Sequence, residues 1–173
     1  MPEEIAAPSR ELPPSVAKVK VAAEALGLEI EPRLMPDSTR TAQEAAKACG
    51  CAVAQIVKSL LFTGASSGHN YLFLVSGANR VDEKAAEAMI GEALRRPDAD
   101  AVRAATGFAI GGVPPFGHST PSPVLIDEDL LGFDRVFAAA GHPKAVFPIA
   151  PRALASATGA KVVKLRGSEQ RNS

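Results

Sequence analysis

The period of the apolar positions changes along the chain, and each change marks an element. Val16, Val19, Ala22, Ala23 and Leu26 recur at helical spacing after Pro13-Pro14-Ser15. Ser15 is placed to cap that helix and Gly27 to stop it. Residues 28–34 read as a strand. Thr41-Ala42-Gln43-Glu44 has the form of a capping box, in which Thr41 accepts from the amide of Glu44 and Glu44 reaches back. The Ala-rich helix after it closes at Gly50. Residues 55–63 and 71–75 are strand-like, and the polar, Gly-containing loop between them predicts an antiparallel hairpin. Asp82 caps a helix running to about Ile90, and Pro97-Asp98 opens a short helix that Gly107 ends. Residues 123–126, 134–138 and 144–149 are short strand candidates. Ala150-Pro151 starts a last helix with proline in its first turn, Gly159 stops it, and residues 161–165 form a final strand. The strands outnumber what simple βαβ alternation would give. The pattern predicts a single α+β domain over residues 13–165, with a mixed, largely antiparallel sheet flanked by helices. Residues 1–12 read as a loose arm and 166–173 as a polar tail.

Composition narrows the picture. At 173 residues, 46% hydrophobic and 22% charged, the chain is long enough for one domain with a real core. Lys plus Arg equals Asp plus Glu at 19 each, so bulk charge does not advertise nucleic-acid binding, although gripping a short single-stranded end needs few charges. With no Trp and one Tyr, aromatic residues are too scarce to predict a stacking platform for several bases. Cys49 and Cys51 are one residue apart, which is neither a zinc-knuckle nor a thioredoxin-like spacing, and a disulfide between them would be strained. They read as small residues near a helix end. The N-terminus is acidic without a hydrophobic region, and no apolar run approaches membrane-spanning length. A cytoplasmic, reducing location is expected, with no membrane, metal or cofactor.

Five candidate chemistries stand out. Gly64-Ala65-Ser66-Ser67-Gly68 matches the G-x-S-x-G nucleophile elbow, but that motif needs a helix after it and here a strand follows. It reads as a hairpin tip. Lys58 shares a strand face with Ile56, Leu60 and Phe62. It must either snorkel to an edge or meet an anion, and a partly desolvated ammonium there could hold a phosphate, a carbonyl or a nucleotide hydroxyl. His118 and His142 each follow a glycine, and neither belongs to a zinc-like spacing; a surface loop is the default for both, and His69 in the hairpin tip has the weakest case. Asn79-Arg80-Val81-Asp82-Glu83-Lys84 is a polar turn into a helix, with Asp82 as the cap. Finally, residues 107–118 hold four glycines and two prolines among mostly apolar neighbours. Glycine opens the backbone to close approach and proline stiffens it. The stretch is either a tight turn between strands or a rigid bend whose main-chain groups recognise something small.

Taken together, several of these segments resemble the YbaK-type aminoacyl-tRNA deacylase family, whose domain is also found inserted in bacterial prolyl-tRNA synthetases. The matching pieces are Thr41-Ala42-Gln43-Glu44-Ala45-Ala46, the lysine strand from Gln55 to Phe62, Asn79 to Lys84, Thr106 to His118, and Ala140-Gly141-His142-Pro143-Lys144-Ala145-Val146-Phe147. They fall in the family's order and cover most of residues 28–160. The resemblance implies hydrolysis of the ester joining a wrong, small amino acid to its tRNA, tRNA(Pro) or a related one, in trans. It points to Lys58, Gly111, Gly112 and Pro115 as the catalytic set, the last three in the glycine-x-x-x-proline loop beside the scissile carbonyl. It points to His142, Phe116, His118, Arg80 and Thr39 as substrate-binding residues. The implied partner is the acceptor end of an aminoacyl-tRNA with its terminal adenosine, with a synthetase as a further candidate. Two rival expectations remain: a non-catalytic aminoacyl- or nucleotide-binding module using the same cleft, and a metal hydrolase built on His118, His142 and a cysteine.

Overall fold

A computed structural model describes residues 12–165. The expected arm and tail lie outside these residues, apart from Leu12, which packs partly buried against the core. Among the described residues there are five α-helices: α1 (Pro14–Ala25), α2 (Ala42–Cys49), α3 (Glu83–Ile90), α4 (Ala99–Thr106) and α5 (Pro151–Thr158). One sheet holds β1 (Arg33–Leu34), β2 (Ile56–Gly64), β3 (Asn70–Ser76), β4 (Leu94–Arg95), β5 (Val124–Asp127), β6 (Val136–Ala139), β7 (Ala145–Ile149) and β8 (Lys161–Val163). Its order is β1-β7-β6-β2-β3-β5-β8, with β4 pairing β2 off this path. The β1–β7, β7–β6, β2–β3 and β2–β4 pairs are antiparallel, and β2–β6, β3–β5 and β5–β8 are parallel. The expected single α+β domain with a mixed, mostly antiparallel sheet is the fold observed.

Local chemistry explains most element ends. Thr41 accepts from the Glu44 amide at 3.0 Å while the Glu44 carboxylate takes the Thr41 amide at 3.3 Å, so the capping box forms as expected. Asp82 and Asp98 cap α3 and α4 through the amides of Ala85 and Ala101. Gly50, Gly91, Gly107 and Gly159 end their helices in the left-handed conformation.

Two expectations fail. Ser15 does not cap α1, because Pro14 takes the first helical turn and Pro13 is the N-cap, accepting from the amides of Val16 and Ala17, both at 2.9 Å. The strand expected over 28–34 is reduced to β1. Leu28 belongs to the close of α1, its amide donating to Ala23 O at 2.8 Å, and Pro32 offers the ladder no donor.

The sheet is buried on both faces. Val57, Leu61, Leu72 and Leu74 face a core completed by α1, α4, α5 and the apolar part of the 107–118 bend, including Phe108, Val113 and Phe116. Phe62, Phe73 and Val75 face the second core under α3. The period-two alternation along β2 and β3 is what divides them.

Candidate active site: an open sheet edge beneath a glycine-proline bend

The site begins with a fork in the sheet. β3 accompanies β2 from Val57 to Thr63. On the other side of β2, β6 pairs only with Ile56 and Val57, and β4 only with Thr63 and Gly64. Between them residues 58–62 have no strand neighbour on that side among the described residues. A cleft of about 900 Å³ opens there. Lys58, Ser59 and Leu60 from β2, Ala139 from β6, and Ile110 and Gly111 from the bend line it. Arg40 and Arg96 line it as well, and with Lys58 they give three cations and no carboxylate in the wall. Glu83 Oε2, 3.6 Å from Arg96 Nε, offsets one of these charges from outside the wall, and Lys58 and Arg40 still leave a neutral chain with a positive cleft suited to an anionic ligand.

Lys58 is half-buried, and its Nζ donates to the main-chain oxygen of Asn79. Burial, then the Arg80 and Arg96 charges, hold the amine below the usual lysine range, while the Asp127 carboxylate opposes that drop. The lysine therefore meets an acceptor within the protein and does not simply snorkel to solvent. Ser59 Oγ is buried with no hydrogen-bond partner among the described residues, in the wall of the same cleft.

The bend is held by three neighbours. A Cβ on Gly112 would come within 2.9 Å of His142 N and 3.1 Å of the Gly141 carbonyl carbon, so glycine is what lets this backbone rest on the 141–142 turn. That turn is fixed in its place by Thr39, whose amide and hydroxyl both donate to Pro143 O, at 2.7 and 2.9 Å. Gly111, at φ +97°, lies against the Arg40 side chain. From below, His118 Nε2 reaches Pro114 O at 2.7 Å. A carbonyl only accepts, so Nε2 carries the proton, and burial pushes the His118 pKa down and keeps the ring neutral.

The structure sorts the expected site residues. Lys58, Gly111 and Thr39 line the cleft. Gly112 and Pro115 lie buried in the bend behind it. Phe116 is in the main core, 5.7 Å from the Phe147 ring, and His118 braces the bend. Thr39 has given its polar groups to Pro143, as noted. His142 is partly exposed beside Gly112, and its Nδ1 accepts from the Lys144 amide at 3.0 Å, which leaves its proton on Nε2. Arg80 is exposed and acts on Lys58 by charge. Arg40, Arg96 and Ser59 were not singled out from the sequence. Their signal, three polar residues far apart in the chain, exists only once β2, β4 and the segment before α2 meet.

No group of three or more His, Cys, Asp or Glu that could hold a metal ion occurs among the described residues, so the ligand set for a metal hydrolase on His118, His142 and a cysteine is not assembled. Burial pushes the Cys49 thiol up to about 11, against a reactive thiolate. The G-x-S-x-G stretch is a hairpin tip: the Glu92 carboxylate accepts from the amides of Ser66 and Ser67, both at 2.9 Å, and from Ser67 Oγ at 2.7 Å. No helix among the described residues is long and apolar enough to cross a membrane.

The structure is thus a single α+β domain with a mixed sheet, and a cleft lined by Lys58 and by Gly111 of the glycine-proline bend opens at the free edge of β2. The chain belongs to the aminoacyl-tRNA editing domain family, whose model matches residues 36–157. It is 31% identical over 125 residues to the uncharacterized protein YwhH of Bacillus subtilis strain 168, a match that covers 72% of this chain and 79% of YwhH. Among solved structures it is similar to one described as a proposed trans-editing enzyme for prolyl-tRNA synthetase, at 50% identity and TM-score 0.87, covering 91% of this chain and all of that one. It is also similar to the crystal structure of a hypothetical protein, at 31% identity and TM-score 0.80, with 86% and 98% coverage.

Proposed function

We propose that the protein hydrolyses, in trans, the ester of a mischarged aminoacyl-tRNA carrying a small amino acid, on tRNA(Pro) or a related tRNA. The observation that carries this reading is the cleft wall in a chain of the editing family: three cations, no carboxylate, and a stiff corner of main chain at one side. The acceptor end of a tRNA is a short anionic strand ending in an adenosine, and its terminal phosphates suit Arg40 and Arg96. Lys58, with hydrogens remaining beyond the one given to Asn79, holds the terminal ribose or the ester in this reading.

The chemistry asks little of side chains. A water oxygen adds to the ester carbonyl carbon, the bond from that carbon to the ribose oxygen breaks, the ribose oxygen takes one of the water's protons, the other passes to solvent, and the amino acid leaves as its carboxylate. An aminoacyl ester is already activated, so holding the water and carbonyl near roughly 3 Å supplies a large share of the acceleration. The main chain at Gly111, on the cleft wall and stiffened by the buried Gly112 and Pro115 behind it, is pre-set to orient them without reorganising. In this reading bulkier amino acids are rejected by steric exclusion beside the bend, since a single methylene is worth only about 1–3 kcal/mol in binding.

The test is single-turnover deacylation across a panel of mischarged tRNAs. Lys58→Ala is expected to slow release by about 10²–10³-fold while the fold is kept. Tight tRNA binding with no amino acid released by the wild type would favour a binding module instead. Wild-type turnover in Lys58→Ala would remove the proposal.

A further inference from the structure

We propose that Asp127 and Asn79 are positioning residues for Lys58: a buried carboxylate locks an asparagine side chain, and that residue's main-chain carbonyl holds the ammonium at the open edge of β2. The proposal rests on Lys58 being the working cation of the cleft.

Asn79 is 6% exposed and Asp127 1%. Asn79 Nδ2 donates at 2.8 Å to Asp127 Oδ2 and at 2.8 Å to Asp129 Oδ2, so both amide hydrogens are committed. Asp127 Oδ2 also accepts from the Ser76 amide at 3.1 Å, and its Oδ1 from the Asp129 amide at 3.0 Å. Ser76 ties back to Ala54 O through its hydroxyl at 2.7 Å and accepts the Asn79 amide on its carbonyl at 2.9 Å. The end of β3, the end of β5 and the turn at 77–80 therefore form one hydrogen-bonded unit, and it presents the Asn79 carbonyl to Lys58 Nζ.

A capped helix start does not require this. Asp82 already caps α3 through Ala85 N at 3.2 Å. A buried carboxylate is costly unless it is compensated, and its placement behind a lysine supplies a reason to keep one here. Lysine has four rotatable side-chain bonds and loses rotamer entropy when fixed. A carbonyl that cannot move takes up part of that ordering before substrate arrives. The charges facing Lys58 are Arg80 after β3, Arg96 after β4, and Asp127 at the end of β5. Two repel its proton and Asp127 retains it, with Asp129 beside Asn79 in the same unit.

The experiment uses the substrate-free full chain. The Lys58 amine is titrated by its Cε and Nζ resonances in wild type and Asp127→Asn, which leaves the shape but removes the charge. The expected result is a lower titration midpoint for Lys58 in Asp127→Asn, and an alkaline limb of the deacylation profile moved in the same direction. Side-chain relaxation at Lys58 Cε in Asn79→Ala should show lost order, with kcat reduced by about tenfold or more and KM little changed. An unchanged midpoint in Asp127→Asn, or, should that variant not fold, unchanged Lys58 order in Asn79→Ala, overturns the proposal. Neither resonance measurement needs a substrate, so a wild type that deacylates nothing would defeat the deacylase reading while these data still decide this one.

Discussion

Replacing Gly112 with alanine tests how the bend is held. The added Cβ would lie 2.9 Å from His142 N and 3.1 Å from the carbonyl carbons of Gly141 and His142. Ordinary carbon contacts begin near 3.5 Å, so bend and turn must part by about 0.6 Å (3.5 − 2.9). The facing atoms are backbone, and Thr39 anchors the next residue of that turn with two hydrogen bonds, so they yield little. Overpacking of this kind costs about 1–3 kcal/mol. At roughly 2–4 °C per kcal/mol for a chain of this size, Tm should fall by about 2–12 °C. Because a misplacement of about 1 Å can cost about 10²-fold in rate, the smaller displacement here should slow single-turnover deacylation by roughly 10- to 10²-fold. The assay follows labelled amino acid released from mischarged tRNA at saturating enzyme, alongside thermal melting. Gly132→Ala is the control, since a Cβ there meets nothing within 4 Å and should leave rate and Tm unchanged. Wild-type rate and Tm in Gly112→Ala would refute the reasoning.

Three other outcomes follow from the same geometry. The amine of Lys58 is held below its ordinary pKa, so its charged form is disfavoured by folding and its contribution improves only as pH rises toward 10.5; Lys58→Met should melt at or above the wild-type temperature while losing activity, and a clear drop in Tm would contradict this. His118 is kept neutral by burial, so the unfolded chain binds a proton near pH 6.5 that the folded chain refuses, and stability should fall as pH drops through and below that value; in His118→Gln the difference from wild type should shrink on acidification, as melting curves from pH 7.5 to 5 would show. The Glu92 carboxylate lies below its ordinary range because Ser67 and Ser66 donate to it, so its hold on the hairpin tip is present above pH 4.5 and lost as pH falls through the folded value; Glu92→Ala should accelerate hydrogen exchange at the Ser66 and Ser67 amides, and unchanged exchange would exclude this lock.

What the sequence determined by itself is what residues a few positions apart can settle. The Thr41 box, the Asp82 and Asp98 caps, the glycine stops and the β2–β3 hairpin all depend on such neighbours, and all form. The same local logic failed where an unnoticed neighbour competed: Pro14 displaced Ser15 from the cap, and the close of α1 captured Leu28. The short β4 was missed because two residues carry no period, and it pairs only where β2 offers its free edge. The tertiary structure decided the site. Thr39 meets Pro143 across 104 residues, and Lys58 finds the Asn79 carbonyl 21 residues away. Phe116 and His118, legible as parts of a glycine-rich motif, became core and brace because the bend folds its apolar side inward. The positive cleft was invisible in a chain with equal numbers of charges, since composition sums charges over the molecule while a cleft depends on which of them the fold brings together.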